Sequence, residues 1–221
     1  MAEIKLIEVK EGILSENDRI AADLRRKLSE NKVFLMNLMA SPGAGKTTLI
    51  LKTAETLSSA LRIGVVEADI ESTVDAEKVA AKGLKAIQLK TRGLCHLDAT
   101  MVTEGIDAIG VNDVDLLIIE NVGNLVCPAE FDTGAHLNAM ILSVPEGDDK
   151  PLKYPLMFSV CDVLLLNKID YLPHSDFDVA LFKERVLRLK PNIAIFEVSS
   201  RTGEGFEAWV QWLKDKVKGT T

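Results

Sequence analysis

The stretch that most constrains the fold lies at residues 33–48 and reads VFLMNLMASPGAGKTT. Its apolar first half predicts a buried strand, and the Ser-Pro-Gly-Ala-Gly turn leads into a segment that favours a helix. A strand, a glycine-bearing loop and a helix N-terminus in this order, with Lys46 and Thr47 at the junction, are typical of a phosphate-binding loop. We therefore predict that this segment holds the phosphates of a nucleotide.

The residue types in this loop each have a physical reason. Glycines allow backbone conformations that direct several N–H groups at one point, and the following helix adds the positive end of its dipole. Lys46 would reach the β- and γ-phosphates and the Thr47 hydroxyl would ligate Mg²⁺, while Ala40 can replace the usual first glycine if it stays extended. The residues predicted to contact the nucleotide here are Gly43, Ala44, Gly45, Lys46, Thr47 and Thr48.

The rest of the chain alternates apolar strand segments with amphipathic helices. The predicted strands lie at 33–40, 62–69, 86–91, 116–120, 136–144, 162–167 and 192–199. The predicted helices are one capped by Ser15, one after the phosphate loop, and four at 72–82, 96–109, 177–190 and 203–217. Most strands are continuous apolar runs, which a parallel sheet covered on both faces requires. The prediction is a three-layer, mostly parallel, doubly wound α/β fold in one domain at 1–221, with 1–14 as a loose or edge segment.

Charge and hydropathy exclude several classes of function. The formal net charge of −7 argues against a nonspecific nucleic-acid binder and against a protein that binds anionic membranes. No window approaches the roughly 20 apolar residues that span a bilayer, and the mixed, charged N-terminus does not resemble a signal peptide. We therefore expect a cytoplasmic protein. Three cysteines, an odd number, argue against a disulfide framework and leave metal binding or burial as their roles.

Two loops after later strands predict that the nucleotide carries guanine. The first, NKID at 167–170, ends in an aspartate that can accept both the ring N1–H and the exocyclic amine of guanine. A site built on such hydrogen bonds can reject the wrong base by about 10⁴ to 10⁵. The second, at 199–203, has small residues whose backbone N–H groups could approach the guanine carbonyl, although such a turn is also typical of a helix cap. The predicted base-binding residues are Asn167, Lys168, Asp170, Ser199, Ser200 and Arg201.

Acidic residues must hold the Mg²⁺ that accompanies the nucleotide. Glu120 ends a buried apolar strand, where a carboxylate is unfavourable unless it is paired with a cation or a donor. Gly123 follows in a loop whose N–H could contact the γ-phosphate. Asp69 ends the second strand, and Asp75 lies near the next helix start, where it could also serve only the helix dipole. The predicted Mg²⁺ ligands are Thr47, Asp69, Asp75 and Glu120, and the predicted catalytic residues are Lys46, Asp75 and Glu120.

The sequence also indicates how fast the bound GTP would be hydrolysed. No glutamine follows Gly123 as in small signalling GTPases, and no arginine finger can be assigned. Without these groups intrinsic hydrolysis tends to run at about 10⁻³ to 10⁻⁴ per second. We therefore expect a regulatory GTPase with slow basal turnover.

A second candidate site combines Cys95, His96 and Cys127. We expect Cys95 and His96 at the start of a helix, where the dipole would favour the thiolate that binds metal. Two thiolates and an imidazole suit Zn²⁺ or Ni²⁺, and the fourth ligand would be water or would come from across a dimer. The alternative is that these cysteines are small buried apolar groups. The residues expected to be only structural or surface residues are Cys161, His136 and His174.

Four motifs together resemble the HypB family, the GTPases that help to insert nickel into [NiFe] hydrogenase. They are SPGAGKTT, GLCHLDA, ENVGNLVCPAEFD and NKID, and the resemblance covers residues 30–215. It implies a SIMIBI-like P-loop fold and a GTP-promoted homodimer, with a nickel or zinc site at the subunit interface on Cys95, His96 and Cys127. It implies the hydrogenase large subunit and a companion nickel-maturation protein as partners. Many members carry an N-terminal Cys cluster or His-rich tract, and this sequence has no Cys or His before Cys95, so nickel storage is not expected.

We hypothesise that the two sites are coupled, because Cys127 lies four residues beyond Gly123 on one loop. Ordering of that loop by GTP, and its release on hydrolysis, would change the metal geometry. Three alternatives remain open: a GTPase for another nickel enzyme such as urease, a zinc-stapled scaffold whose nucleotide only holds the dimer, and a small-molecule kinase or ligase. A Cys-Pro-His motif would be expected of the first, whereas Cys127-Pro128 precedes Ala129 here; NKID argues against the last.

Overall fold

The computed structural model describes residues 9–69, 73–91 and 93–220. Seven strands form its centre: β1 Phe34–Ala40, β2 Ile63–Asp69, β3 Lys85–Lys90, β4 Leu116–Glu120, β5 Leu137–Ser143, β6 Val163–Asn167 and β7 Ala194–Glu197. They form one sheet in the order β3-β2-β4-β1-β5-β6-β7, and every neighbouring pair is parallel. This confirms the predicted doubly wound α/β fold, and the strand bounds differ from the predicted ones by at most two residues.

Eight α-helices flank the sheet within the described residues: α1 Val9–Glu30, α2 Lys46–Leu57, α3 Val74–Ala81, α4 Ala99–Ile109, α5 Lys150–Lys153, α6 Pro155–Val160, α7 Val179–Leu189 and α8 Phe206–Thr220. The two short helices before β6 were absent from the sequence prediction. None of the helices in the described part of the chain is long and apolar enough to cross a membrane.

The N-terminal helix begins earlier than predicted. The chain is already helical at Val9, so Ser15 lies inside α1, where its hydroxyl donates to Gly12 O at 3.0 Å instead of capping the helix. The predicted loose or edge segment is therefore wrong for residues 9–14, and residues 1–8 lie outside the described residues. A serine can bond to the preceding turn of its own helix as well as to a helix start, so the spacing of Ser15 did not fix the boundary.

Three clusters of buried side chains hold the helices on the sheet. Met36 and Leu38 of β1 belong to the cluster formed with α2, α3 and α8. Leu35 points to the opposite face and packs with α1 and α4, and Met39 packs on that face with α6 and α7. Because both faces are covered, all seven residues of β1 are buried, which explains its continuous apolar sequence.

The strand order determines where a ligand can bind. Since all strands run in one direction, the loops after their carboxyl ends meet at a single edge of the sheet, which is where open parallel sheets bind ligands. The strand β4 lies between β1 and β2, and this register places Glu120 beside Leu38 of β1 and Glu67 of β2. The loops that carry the predicted site residues therefore share this edge.

Candidate functional site

The phosphate loop joins β1 to α2. Ala40 is a buried residue in β1 and has the extended conformation that its replacement of glycine requires. Gly43 and Gly45 have φ angles of 77° and 103°, in a region that glycine enters without strain. Gly45 is also the N-cap of α2, and a Cβ on it would lie 2.7 Å from Asn167 Nδ2. The loop thus presents a helix N-terminus and two left-handed glycines, a combination that suits an anion.

Lys46 and Thr47 reach the acid that ends β4. Thr47 Oγ1 donates to Glu120 Oε1 at 3.0 Å, and Lys46 Nζ lies 4.0 Å from the same oxygen. The side chains of Lys46 and Glu120 are only 10% and 6% exposed, so solvent ions screen their attraction weakly. Glu120 therefore lies beside the hydroxyl that the sequence predicts as a Mg²⁺ ligand.

A pocket of about 300 Å³ opens next to these residues. Its lining includes the three predicted acids, Asp69, Asp75 and Glu120, together with Gly123. Asp75 is in the first turn of α3 and also pairs with Lys78 at 2.8 Å, so it contributes to its own helix as well. The structure thus brings the predicted acids and the predicted γ-phosphate glycine to one place.

Glu67 lines the same pocket and is 2% exposed, although it is not among the predicted acids. Burial, and then repulsion by Glu120, raise the pKa of Glu67 to about 10, and burial also raises the pKa of Glu120. Among the described residues, Glu67 Oε1 and Glu120 Oε2 have no hydrogen-bond partner. Two buried carboxyl groups with unpaired oxygens fit a divalent cation, whose charge would favour their ionised forms. The sequence feature that could have identified Glu67 was an acidic residue inside an otherwise apolar strand.

Asn167 links the loop after β6, which is predicted to bind the base, to the phosphate loop by hydrogen bonds. Its Nδ2 donates to Ala44 O at 3.0 Å, and its Oδ1 accepts from Ser200 N at 3.1 Å and from Ser200 Oγ at 3.0 Å. Lys168 has a left-handed φ of 61°, and its Nζ donates to Gly43 O at 2.8 Å. The loops after β1, β6 and β7 are therefore linked by side-chain hydrogen bonds.

Asp170 has two partners in the loop after β7. Ser199 Oγ donates to Asp170 Oδ1 at 2.7 Å, and an Arg201 nitrogen lies 2.9 Å from Oδ2. The Ser199 hydrogen bond is the main cause that lowers the pKa of Asp170, so this carboxylate is ionised and can accept hydrogen bonds. The backbone N–H groups of Ser199 and Ser200 donate to Glu204 O and to Asn167. In this structure the N–H groups of both serines therefore already have protein acceptors, and their hydroxyl groups donate to Asp170 and Asn167.

Replacing Arg201 with alanine should lower the affinity for GDP by less than about fivefold, because ion pairs of exposed side chains contribute little. The Arg201 side chain is 79% exposed, whereas Ser199 is fully buried. Ser199→Ala should therefore weaken binding more than Arg201→Ala does. Titration with a fluorescent guanine nucleotide measures both, and a larger loss in the arginine variant would contradict this assignment.

The structure also brings together the three predicted ligands of the metal site. Ligand atoms of Cys95, His96 and Cys127 all lie within 4.8 Å of one another, and the two Sγ atoms are 3.0 Å apart. The His96 ring stacks on Phe131 with ring centroids 4.0 Å apart. Within the part of the chain that the structure describes, the buried Nδ1 of His96 has no hydrogen-bond partner. Two sulfurs and an imidazole within reach of one ion fit Zn²⁺ or Ni²⁺.

The local structure before this site differs from its prediction. The helix expected from residue 96 begins at Ala99, because Asp98 caps it by accepting a backbone N–H at 2.8 Å. Cys95 and His96 lie in the turn before this cap, so their predicted place at the start of the helix is wrong. The pKa of Cys127 is raised, chiefly by its hydrogen bond with Cys95. Burial lowers the pKa of His96 and favours the neutral imidazole, which is the form that binds metals.

The remaining cysteine and histidines are structural or surface residues, as predicted. Cys161 is fully buried in the cluster with α6 and α7. His136 Nδ1 accepts from Leu35 N at 3.0 Å, and its Nε2 lies 3.0 Å from Ser29 Oγ. His174 is exposed and lies edge-on to Tyr171. These side chains lie outside the metal-ligand cluster.

Comparison with known proteins adds independent information. Residues 34–197 match the family model described as the CobW/HypB/UreG nucleotide-binding domain. A hydrogenase maturation factor HypB from Rhizobium leguminosarum bv. viciae is 45% identical over 214 residues, which cover 97% of this chain and 72% of that protein. A hydrogenase/urease maturation factor HypB from Helicobacter pylori strain J99 is 39% identical over 218 residues, which cover 97% of this chain and 89% of that protein.

Solved structures agree with these matches. The crystal structure of HypB from Helicobacter pylori in complex with nickel has a TM-score of 0.88 and 38% identity, over 92% of this chain and 96% of that one. The signal recognition particle 54 kDa protein from Aeropyrum pernix K1, in complex with GDP, has a TM-score of 0.59 and 12% identity, over 86% of this chain and 48% of that one. The second likeness shows the fold alone, and it confirms the SIMIBI-like form of the P-loop fold.

Proposed function

This chain belongs to the HypB hydrogenase maturation factors of the CobW/HypB/UreG family, and we propose that it is a GTP-hydrolysing metallochaperone that assists nickel insertion into [NiFe] hydrogenase. One observation carries the proposal: an acid-lined pocket beside the phosphate loop and a Cys-His-Cys cluster lie at the same edge of the sheet. Gly123 lines the pocket, and the same loop continues to Cys127 of the cluster. Two binding sites on one loop can be coupled, because a ligand that changes the conformation of the loop at one site changes the affinity of the other.

The nucleotide is proposed to be GTP and its product GDP. Asp170 is an ionised acceptor held by Ser199, so it can receive the two donors that guanine presents along its N1 edge. Asn167 and Lys168 would hold the base loop against the phosphate loop, since both donate to backbone carbonyls of that loop. A base loop fixed to the phosphate loop sets the distance between base and phosphate contacts, which favours one nucleotide geometry.

Hydrolysis is proposed to depend on Lys46 and on the buried acids. Lys46 would neutralise charge on the β- and γ-phosphates, and the Thr47 hydroxyl and Glu120 would hold Mg²⁺ together with Asp69 and Asp75. The bound Mg²⁺ would supply positive charge to the terminal phosphates. We expect turnover on the order of 10⁻³ to 10⁻⁴ per second, because the motifs offer neither a water-positioning glutamine after Gly123 nor an arginine finger.

Nickel is proposed to be the cargo, held by Cys95, His96 and Cys127. The same donors suit Zn²⁺, so zinc would compete for the site. Three ligands leave at least one position open, and we propose that it is filled by water or by a second copy of the chain in a GTP-promoted homodimer. An open position suits cargo, because the ion can then pass to the hydrogenase large subunit or to a companion nickel-maturation protein.

A second candidate function is delivery of nickel to urease. The Helicobacter pylori relative is named a hydrogenase/urease maturation factor, and it is 39% identical to this chain. Both functions use the same nickel and nucleotide sites, so they differ only in the protein that accepts the metal. Nickel transfer measured separately to the two apo-enzymes would distinguish them.

Replacing Cys127 with alanine should abolish nickel-dependent behaviour while leaving GTP binding intact. We expect nickel affinity to fall by more than about 100-fold, because loss of a residue that only supports a ligand already costs 10- to 100-fold. The matched control is Cys161→Ala, since Cys161 is buried away from the cluster. Titration with Ni²⁺ measures the affinity. Light scattering after gel filtration, with GDP or a non-hydrolysable GTP analogue and with or without Ni²⁺, measures the mass of both variants and of the wild type.

A dimer that forms with the GTP analogue, and that binds nickel in the wild type and in Cys161→Ala but not in Cys127→Ala, would support the proposed function. The proposal would be overturned if the molecular mass did not change with nucleotide or metal. It would also be overturned if Cys127→Ala still bound nickel with wild-type affinity. Measured GTP turnover separates the proposal from a zinc-stapled scaffold, which would bind the nucleotide without hydrolysing it.

A further inference from the structure

Asn124 is half-buried in the loop between the pocket and the metal-ligand cluster, one residue after Gly123 and three residues before Cys127. Its backbone N–H donates to Ala40 O at 2.9 Å, at the point where β1 passes into the phosphate loop. The neighbouring Gly123 packs closely on the same loop, because a Cβ on it would lie 3.0 Å from Pro42 N. The backbone at Asn124 is therefore attached to the phosphate loop.

The side chain of Asn124 is attached to the metal site instead. Its Nδ2 donates to Cys95 O at 3.3 Å, and its Oδ1 accepts from Val126 N at 2.9 Å. The first bond holds the backbone of one metal ligand, and the second holds the residue just before Cys127. One residue thus contacts the phosphate loop through its backbone and both cysteine-bearing segments through its amide.

A second asparagine in the loop makes a different set of contacts. Asn121 is fully buried and follows Glu120; its Oδ1 accepts from Leu97 N at 3.3 Å and from Val122 N at 2.9 Å. Its Nδ2 donates to Asn37 Oδ1 at 3.1 Å, inside the sheet. Because these contacts are buried, Asn121 anchors the start of the loop, whereas the half-buried Asn124 joins the loop to Cys95 and to the turn before Cys127.

We propose that Asn124 is the positioning residue that transmits the state of the γ-phosphate pocket to the Cys95–His96–Cys127 site. The inference rests on the proposed function, because it requires GTP and nickel to be the two ligands. A shift of the loop at Gly123 moves the Asn124 backbone, and its amide then moves Cys95 and the turn of Cys127 together. An amide suits this role because it donates to one segment and accepts from the other at the same time.

The test is the ratio of nickel dissociation constants in two nucleotide states. Ni²⁺ is titrated into the full chain loaded with GDP or with a non-hydrolysable GTP analogue, and the sulfur-to-nickel charge-transfer absorption reports binding. We expect a ratio of at least about 5 in the wild type, the lower end of ordinary allosteric coupling, and a ratio below about 2 in Asn124→Ala. Nucleotide affinity and thermal unfolding should stay close to the wild-type values, since Asn124 touches neither predicted base contact nor catalytic residue.

Asn124→Asp separates the amide donor from the amide acceptor. It keeps the acceptor for Val126 N and loses the donor to Cys95 O and to the Cys127 thiol, so the ratio should fall as it does in Asn124→Ala. An unchanged ratio in both variants overturns the inference and leaves the proposed function standing. A wild-type ratio of one overturns the coupling in the proposed function itself, and this inference with it.

Discussion

Replacing Asp170 with asparagine should convert the protein from a guanine to a xanthine nucleotide binder. A carboxylate accepts from both N1–H and the exocyclic amine of guanine, whereas an asparagine offers one acceptor and one donor. Xanthine has a carbonyl in place of that amine and so matches the new donor. We expect GTP affinity to fall on the order of 10⁴-fold relative to XTP affinity, the scale that sites built on such hydrogen bonds achieve.

The surroundings of Asp170 favour this exchange. Ser199 Oγ donates to one of its carboxylate oxygens at 2.7 Å, and a hydroxyl can donate equally to an asparagine oxygen. The exposed Arg201 would lose an ion pair that contributes little. Competition of GTP and XTP against a fluorescent nucleotide measures the preference, with Arg201→Ala as the control. An Asp170→Asn protein that still prefers GTP would show that another residue reads the base.

The second large effect concerns two glycines of one loop. Gly45→Ala should weaken guanine nucleotide binding on the order of 100-fold or more, and Gly43→Ala should weaken it much less. Both residues have positive φ, so either alanine costs about 1–2 kcal/mol in backbone strain. Only at Gly45 would the new Cβ also clash, at 2.7 Å from Asn167 Nδ2, and such overpacking adds about 1–3 kcal/mol.

Asn167 cannot retreat from this clash without further loss. Its amide is bonded to Ala44 on one side and to Ser200 on the other, so a shift breaks the link between the phosphate and base loops. Gly43 has no heavy atom within 4 Å of an added Cβ among the described residues. Titration with a fluorescent GDP analogue compares the variants, and retained nickel absorption shows that each has folded. Equal losses at the two glycines would contradict this account.

The sheet could be predicted from the sequence because its strands are buried on both faces. A strand such as β4, with the sequence LLIIE, is a short continuous apolar run and lacks the alternation of polar and apolar faces that marks an amphipathic helix. The least accurate bounds were those of β7, whose four residues are only partly buried. There Val198 is fully buried and its N–H still donates to Leu166 O at 2.8 Å, although the strand itself ends at Glu197.

The misplaced helix starts have a common cause. The sequence pattern predicts helix starts at Ser15 and Cys95, but α1 already includes Val9 and Asp98 caps α4. Ser and Asp side chains bond to nearby backbone groups in several conformations, and only the contacts of the folded chain decide which one is used. The role of Glu67 is hard to predict for a related reason, because it follows from pairing with Glu120, which lies 53 residues later along the chain.

The candidate sites were predictable where a motif determines local geometry. The phosphate loop and NKID have fixed backbone shapes, and their residues lie where the pattern indicates. The contacts of Asn124 and Phe131 join segments that are distant in sequence, so no local pattern indicates them, whereas the contact of Glu67 with Glu120 is hinted at locally only by an acid inside an apolar strand. Those contacts follow from the strand order, which places β4 beside both β1 and β2.

That strand order also determines when the sites can exist during folding. The strands β1 and β2 do not pair with each other; they remain apart until β4, from much later in the chain, enters between them. Only this entry brings Glu120 to Glu67, and the loop after β4 to Cys95. Contacts of such high sequence separation close a long loop and form slowly. Ligands of these two sites would therefore bind only the folded chain, where they would oppose its unfolding.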